Sequence, residues 1–296
     1  MAGVRWTGAS LIGVVAVAAV AWSIVGTRPL GAAAPQKPDL SVKALVALAT
    51  KYIADYQHQF AFVVAEERYR QQNDIPNKPP WVRVARGEMF LTYLEADRAW
   101  TVVHDITEVD DEPVPNHESV RALLQMSNTT VQSVARKVYD LNARYNIGGI
   151  RRNFNDPMIA LQVFHDRYRD NIQFDMVRSE TRDGATLATL RFREKDRPTI
   201  VVGTDGTAFP AKGEVLLDAV SGAIRHTHFT IDNKDLGADL DTNLAYEERL
   251  ALWVPVLFTE RYWAKRGRSE TEVTTCSSEY TNYRRFEVKG RIKDGT

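Results

Sequence analysis

From about Asn171 onward, apolar residues in this chain recur at every second position, and this period limits the fold more than any other feature. In TLATLRF, Ala188, Leu190 and Phe192 share one face, while Thr189 and Arg191 share the other. TIVVG, GEVLLD, AIRHTHFTID and TNLAY follow, separated by the turn-like TDGT, AVSG and NKDLGAD. Asp218 to Gly222 reads as a turn with glycine where positive φ is required. PVLFTERYWAKR and SETEVTTCSSEYTNYRRFEVKG extend the strand pattern towards the C-terminus.

The first half of the chain has a different period. Ser41 can cap a helix, with Leu40 and Leu45 at the staple positions. A stripe then runs through Val42, Leu45, Val46, Ala49, Tyr52, Ile53, Tyr56, Phe60 and Val63. NDIPNKPP at 73–80 breaks the chain, and VARGEMFLTYL (84–94) with AWTVVHDITEV (99–109) reads as a hairpin. HESVRALLQM and TVQSVARKVYDLNARY are helical by pattern, with Gly148 suited to a left-handed cap. A short helix is expected to open at Asp156-Pro157. Helices mainly in the first half, with at least eight short strands around and after them, indicate an α+β fold. A long antiparallel sheet curls, so the expected architecture is a curved, mostly antiparallel half-barrel with helices on its concave face.

At the N-terminus, no charged residue lies between Arg5 and Arg28, and GAAAPQ follows the apolar stretch LIGVVAVAAVAW. Residues 1–33 therefore read as a secretory signal peptide or an uncleaved membrane anchor, 34–40 as a linker and 41–293 as a single domain. Either reading exports the domain to the periplasm or cell envelope, with anchoring in the inner membrane if the segment is retained. The single cysteine, Cys276, cannot form an internal disulfide, and it reads as a small strand residue. A formal charge of +0 gives no basic footprint for nucleic acid.

The chemical motifs are few. His226 and His228 share a strand face with Thr230, whereas Thr227, Phe229 and Ile231 form the apolar face. Two histidines supply only part of a zinc site, so an exposed polar face is the default and a metal site needs a distant third ligand. His104 and Asp105 point to opposite faces, so they cannot act as a base and its orienting partner; His104 reads as a hydrogen-bonded histidine on the core side. Arg144, Arg151, Arg152 and Arg197 lie near turns and read as structural, with Glu194 or Asp196 as plausible partners. No G-x-S-x-G, P-loop, H-E-x-x-H or C-x-x-C is present, so the signals of common hydrolases and nucleotidases are missing.

ARYNIGGIRRNFNDPMIAL (143–161), FREKDRPTIV, GEVLLDAVSGAIRHT (213–227), LWVPVLFTERY and YTNYRRFEV together resemble a family of exported bacterial proteins of the acidobacterial type. Trp100 matches that family's pattern, but His104-Asp105-Ile106 and Val109-Asp110-Asp111 depart from its Arg-Asp-Val and Val-Asp-Gly, so no role is carried over for the arginine. More distantly, the first helix and later strands resemble LolA-like lipoprotein-carrier half-barrels. That resemblance implies helices in the concavity of a curved sheet and an apolar groove for acyl chains.

The expected function is binding of a lipid, another amphiphile or an envelope lipoprotein, without catalysis and with no cofactor. Trp100, Phe192, Phe229, Trp253 and Tyr262 are the candidate wall of the binding surface, and plain core packing is the strong competing reading for each. The alternatives are a metal-dependent envelope hydrolase using His226 and His228, and an anchored structural protein.

Overall fold

The computed structural model describes residues 38–60, 63–94, 99–117, 119, 122, 143–150, 152, 155–195, 197–203, 205–266 and 270–285. The expectations for the N-terminal segment, the Glu95–Asp97 turn and most of the two middle helices lie outside these residues.

Helix α1 spans Val42–Phe60. Ser41 caps it as expected: its Oγ accepts from Ala44 N at 3.3 Å, and its carbonyl accepts from Leu45 N at 3.0 Å. Leu45, Ala49, Ile53, Tyr56 and Phe60 are buried at helical spacing. The apolar stripe was expected to carry the helix through Val63, but the helix ends at Phe60 and Val63 opens a strand.

The strands are β1 (Val63–Asp74), β2 (Trp81–Leu94), β3 (Ala99–Val109), β4 (Glu112–Pro113), β5 (Ile172–Arg182), β6 (Ala185–Glu194), β7 (Val201–Val202), β8 (Ala208–Phe209), β9 (Ala211–Asp218), β10 (Ile224–Asp232), β11 (Leu236–Glu247), β12 (Leu252–Arg266) and β13 (Glu270–Arg285). β7 and β8 pair with each other; the other 11 form one sheet in the order β4-β3-β2-β1-β13-β12-β11-β10-β9-β6-β5. Every pairing is antiparallel. β4 and β5 are the two edges, so the sheet is open. It is also curved. The α+β class and the large, curved antiparallel sheet are as expected.

The helix runs across the strands instead of along them. The Leu48 carbonyl lies against Gly222 in the β9–β10 turn. About two turns later, the Tyr56 hydroxyl donates to the Trp253 carbonyl on β12 at 2.5 Å. Near the end of α1, the Gln59 carbonyl accepts from Arg285 on β13 at 2.7 Å. The same helix touches both β2 and β5. In a flat sheet those two strands would stand about 38 Å apart, against a helix length of about 28 Å. The curvature of the sheet brings both strands within reach of one helix.

Local reasons for the turns are clear at two positions. In the β9–β10 turn, Asp218 Oδ1 accepts from Val220 N at 3.0 Å and Ser221 N at 2.8 Å, and Gly222 takes φ 76°. Gly148 takes φ 86°, as its expected left-handed position requires. The short helix expected at Asp156-Pro157 begins later, as a 3-10 segment over Ile159–Phe164. Asp156 Oδ1 accepts from Met158 N at 2.8 Å in the turn that leads into it.

Candidate functional site

The inner face of the sheet has two chemically distinct regions. The first is apolar and lies on β6, β9, β10 and β11. Leu190, Phe192, Val215, Phe229, Ile231 and Leu240 are buried there. Phe192 on β6 and Phe229 on β10 have ring centroids 6.0 Å apart, although β9 lies between their strands. Gly213 pairs with both residues, and a Cβ there would meet the Phe192 ring at 2.7 Å. The missing side chain is therefore what lets the two rings meet.

The second region is polar and lies on β1, β3, β12 and β13. Along β1 the alternate, inward positions Val63, Ala65, Glu67, Tyr69, Gln71 and Asn73 are all buried, and they change from apolar to polar along the strand. Register places Glu67 opposite Tyr280, Tyr69 opposite Ser278, Gln71 opposite Cys276 and Asn73 opposite Thr274. On β12, Glu260 stands opposite Cys276 and Tyr262 opposite Thr274.

Residues 146–150, 152 and 155–158, the described part of a strap, are fastened to this polar region. Gln71 Oε1 accepts from Ile147 N at 3.2 Å, and Gln71 Nε2 donates to the Tyr145 carbonyl at 3.0 Å. Arg152 donates to Gln71 Oε1 and, at 2.7 Å, to the Ile147 carbonyl. Glu272 Oε1 accepts from Gly149 N at 2.6 Å and from Asn73 Nδ2 at 2.7 Å. Tyr69 bonds the Asn155 side chain at 3.1 Å, and Thr242 Oγ1 donates to the Pro157 carbonyl at 2.9 Å.

His104 joins strap and sheet. Its Nδ1 lies 2.5 Å from Glu67 Oε2 and its Nε2 lies 2.9 Å from the Asn155 carbonyl. Both partners accept only, so both ring nitrogens must donate and the ring is an imidazolium when both bonds are made. Burial works against that charge, but the Glu67 carboxylate and the Asn155 carbonyl outweigh it and raise the His104 pKa. With both nitrogens engaged, the ring has no lone pair for general-base work.

The neighbouring acids are shifted upward. Burial pushes Glu260 up to about 7, opposed by the Tyr262 hydroxyl, which donates to it at 2.5 Å, and by Arg152. Asp156 is half-buried as a residue, but its carboxyl is closely surrounded by protein, and burial pushes it up to about 6. Burial also raises the Cys276 thiol to about 12, so it is no nucleophile near neutral pH. Glu67 Oε1, Glu260 Oε2 and Arg152 Nε are enclosed without a hydrogen-bonding protein partner.

The structure brings together two of the five candidate wall residues, Phe192 and Phe229. Tyr262 belongs to the polar region, with the Arg152 guanidinium 5.8 Å from its ring centre. Trp253 sits near α1 beneath the Arg225 guanidinium, 3.2 Å from ring centre to Cζ. The Trp100 backbone lies in β3 opposite Tyr93, and its side chain falls outside the described residues. The sequence reading missed Glu67, Glu260 and Asp156, because only the register and the strap bring them near His104.

His226 and His228 lie on the outer face, and Thr227, Phe229 and Ile231 are buried, as the alternation predicts. His226 Nε2 bonds Asp241 at 2.9 Å, and His228 lies 3.0 Å from the Thr230 hydroxyl. Among the described residues no group of three or more His, Cys, Asp or Glu side chains is arranged to hold a metal ion. Glu194 was expected to pair with arginine; its two oxygens accept instead from Ile200 N and Ala211 N, each at 2.7 Å.

No family model matches this chain, and no curated protein matches it. Several solved structures are similar to it at low identity. A LolA superfamily protein from Nitrosomonas europaea is 8% identical, covering 84% of this chain and 95% of its own, with a TM-score of 0.28. A DUF1329 family protein from Desulfovibrio piger is 11% identical, covering 84% and 95%, with a TM-score of 0.36. A domain ascribed to outer membrane lipoprotein sorting, from Vibrio parahaemolyticus, is 11% identical, covering 84% and 96%, with a TM-score of 0.33. Among the described residues no helix is long and apolar enough to cross a membrane.

Proposed function

We propose that this chain is an exported cell-envelope protein that binds a lipid, another amphiphile or the acyl-bearing end of a lipoprotein partner inside its curved sheet. One observation carries this reading: a single continuous inner face holds the apolar lining around Phe192 and Phe229 beside the polar cluster around Glu67, His104 and Glu260. A molecule with a hydrocarbon tail and a polar head matches both regions at once. Part of the cover over this face is one helix and a strap held by side-chain hydrogen bonds. Such a cover can be displaced without breaking the sheet's own ladders. The uncharged stretch between Arg5 and Arg28 supports export.

Chemistry inside the cluster is disfavoured by the two engaged nitrogens of His104 and the raised thiol of Cys276. The wall assigned to the ligand is Phe192 and Phe229, with Tyr262 on the polar side that would meet a head group.

Lipid-resolved mass spectrometry of the protein isolated from its own envelope tests the proposal. A co-purifying amphiphile near equimolar amounts is expected. Bare polypeptide by native mass, with no uptake of an apolar dye, would overturn it.

A further inference from the structure

We infer that the polar end of the lining is a head-group site that takes a donor of hydrogen bonds, an amine or an alcohol, and turns away phosphate and carboxylate heads. The inference rests on reading the lining as a binding surface and adds which head it accepts and how the molecule lies.

Pairing register puts the tail and head positions in one row across the strands. Phe192 pairs with Gly213, Gly213 with Phe229, Phe229 with Leu240 and Leu240 with Glu260. Paired residues share a face, so the apolar lining ends at Leu240 and a buried carboxyl stands on the next strand. Phe192 and Glu260 are four strand spacings apart, about 19 Å along the sheet. An amphiphile lying across the strands, with its tail at Phe192, brings its head to Glu260. The neighbouring rows continue the polar end. Phe258 pairs with Ser278, and Tyr280, on the same face of β13, pairs with Glu67.

Spare hydrogen-bonding capacity gathers at that end. Glu67 Oε1, Glu260 Oε2, Ser278 Oγ and the Tyr280 hydroxyl are enclosed without a hydrogen-bonding protein partner. Their residues are only 7%, 2%, 1% and 3% exposed, so bulk water does not serve them. They come from β1, β12 and β13, which are neighbours in the sheet. Each carboxyl is held by its other oxygen: Glu67 Oε2 lies 2.5 Å from His104 Nδ1, and Glu260 Oε1 accepts from the Tyr262 hydroxyl. The second oxygen of each is therefore fixed in place. A buried polar atom left unmatched costs free energy, so four on one face mark a place that a polar guest can satisfy.

The chemistry of these atoms selects the guest. Ionised carboxylate oxygens only accept, and the two hydroxyls can accept as well as donate. The nearby cations are already committed. His104 directs its two nitrogens at Glu67 and the Asn155 carbonyl, and Arg152 donates to Gln71 and the Ile147 carbonyl, with its Nε unmatched. A head with N–H or O–H groups meets acceptors from three strands. A phosphate or carboxylate head would set its oxygens against those of Glu67 and Glu260.

The test is calorimetry on the full, delipidated chain with three amphiphiles of equal tail length: dodecylamine, monolauroylglycerol and dodecyl phosphate, each below its micelle concentration. The amine and the glycerol ester should bind at least about tenfold tighter than the phosphate. Tyr280→Phe removes one hydroxyl and no charge. It should weaken the glycerol ester about threefold without lowering the urea midpoint, as loss of a structural hydrogen bond would. Glu260→Gln should narrow the gap between amine and phosphate. Equal affinity for the three heads, or tightest binding by the phosphate, would overturn the inference. So would wild-type affinities in both variants, which would mean that these oxygens hold water only. Binding without head preference leaves the lining as a binding surface, whereas no binding by any of the three removes that reading and this inference together.

Discussion

Phe192 and Phe229 meet across an intervening strand, 6.0 Å between ring centres, because Gly213 stands between them. A Cβ at Gly213 would also strike the His228 carbonyl, which is backbone and cannot swing aside. Gly213→Ala should therefore destabilise the fold by about 3 kcal/mol, at the upper end of the usual overpacking cost. A lowered urea midpoint with an unchanged m-value would show it. A midpoint equal to wild type would mean that the rings do not depend on this gap.

The helix cap offers a smaller, local test. Ser41→Ala removes the acceptor for Ala44 N and should cost about 1 kcal/mol. Ser41→Asp should restore most of that, since an acidic N-cap also suits the helix dipole. Thermal melts of the three proteins, run side by side, would rank them.

Arg152 is only 2% exposed, and it serves the strap and the sheet together. Arg152→Met keeps much of the volume but leaves Gln71 and the Ile147 carbonyl without this donor and Glu260 without its nearby cation. A loss of about 3–5 kcal/mol is expected, as for removing one partner of a buried polar set. Limited proteolysis should then cut within residues 146–158 before it cuts any strand.

Overall stability should also depend on pH. Asp156 moves from 3.8 to about 6 and Glu260 from 4.5 to about 7, so the native state binds more protons than the unfolded chain between those limits. Stability therefore falls as pH rises from about 4 to about 7, and the raised His104 pKa adds to the fall in the same direction. Urea midpoints measured across that range should decline. In Glu260→Gln the upper part of the decline should flatten.

How much of this was readable beforehand differed by region. The alternation in TLATLRF and AIRHTHFTID set which side chains face inward, because those strands have one apolar and one polar face. The Ser41 cap and the Asp218–Gly222 turn were legible because both are decided by neighbours in sequence. β1 was not seen as a strand. Its inward residues Glu67, Gln71 and Asn73 are as polar as its outward Glu66, Arg68 and Gln72, so no period of two remained to be read. Missing β1 also hid the acid beside His104, since their contact depends on a sheet order that the local pattern does not encode.

The pairing of β1 with β13 has a consequence for how the protein is made. Strands β4 to β1 and strands β5 to β12 are two separate ladders until the final strand arrives between them. Glu270–Arg285 is made after every other described strand, so the nascent chain must keep two raw edges at the sheet's future centre apart until it emerges. Such a keystone arrangement leaves the two halves of the sheet unjoined, each with a bare edge open to wrong pairing, until β13 is seated between them.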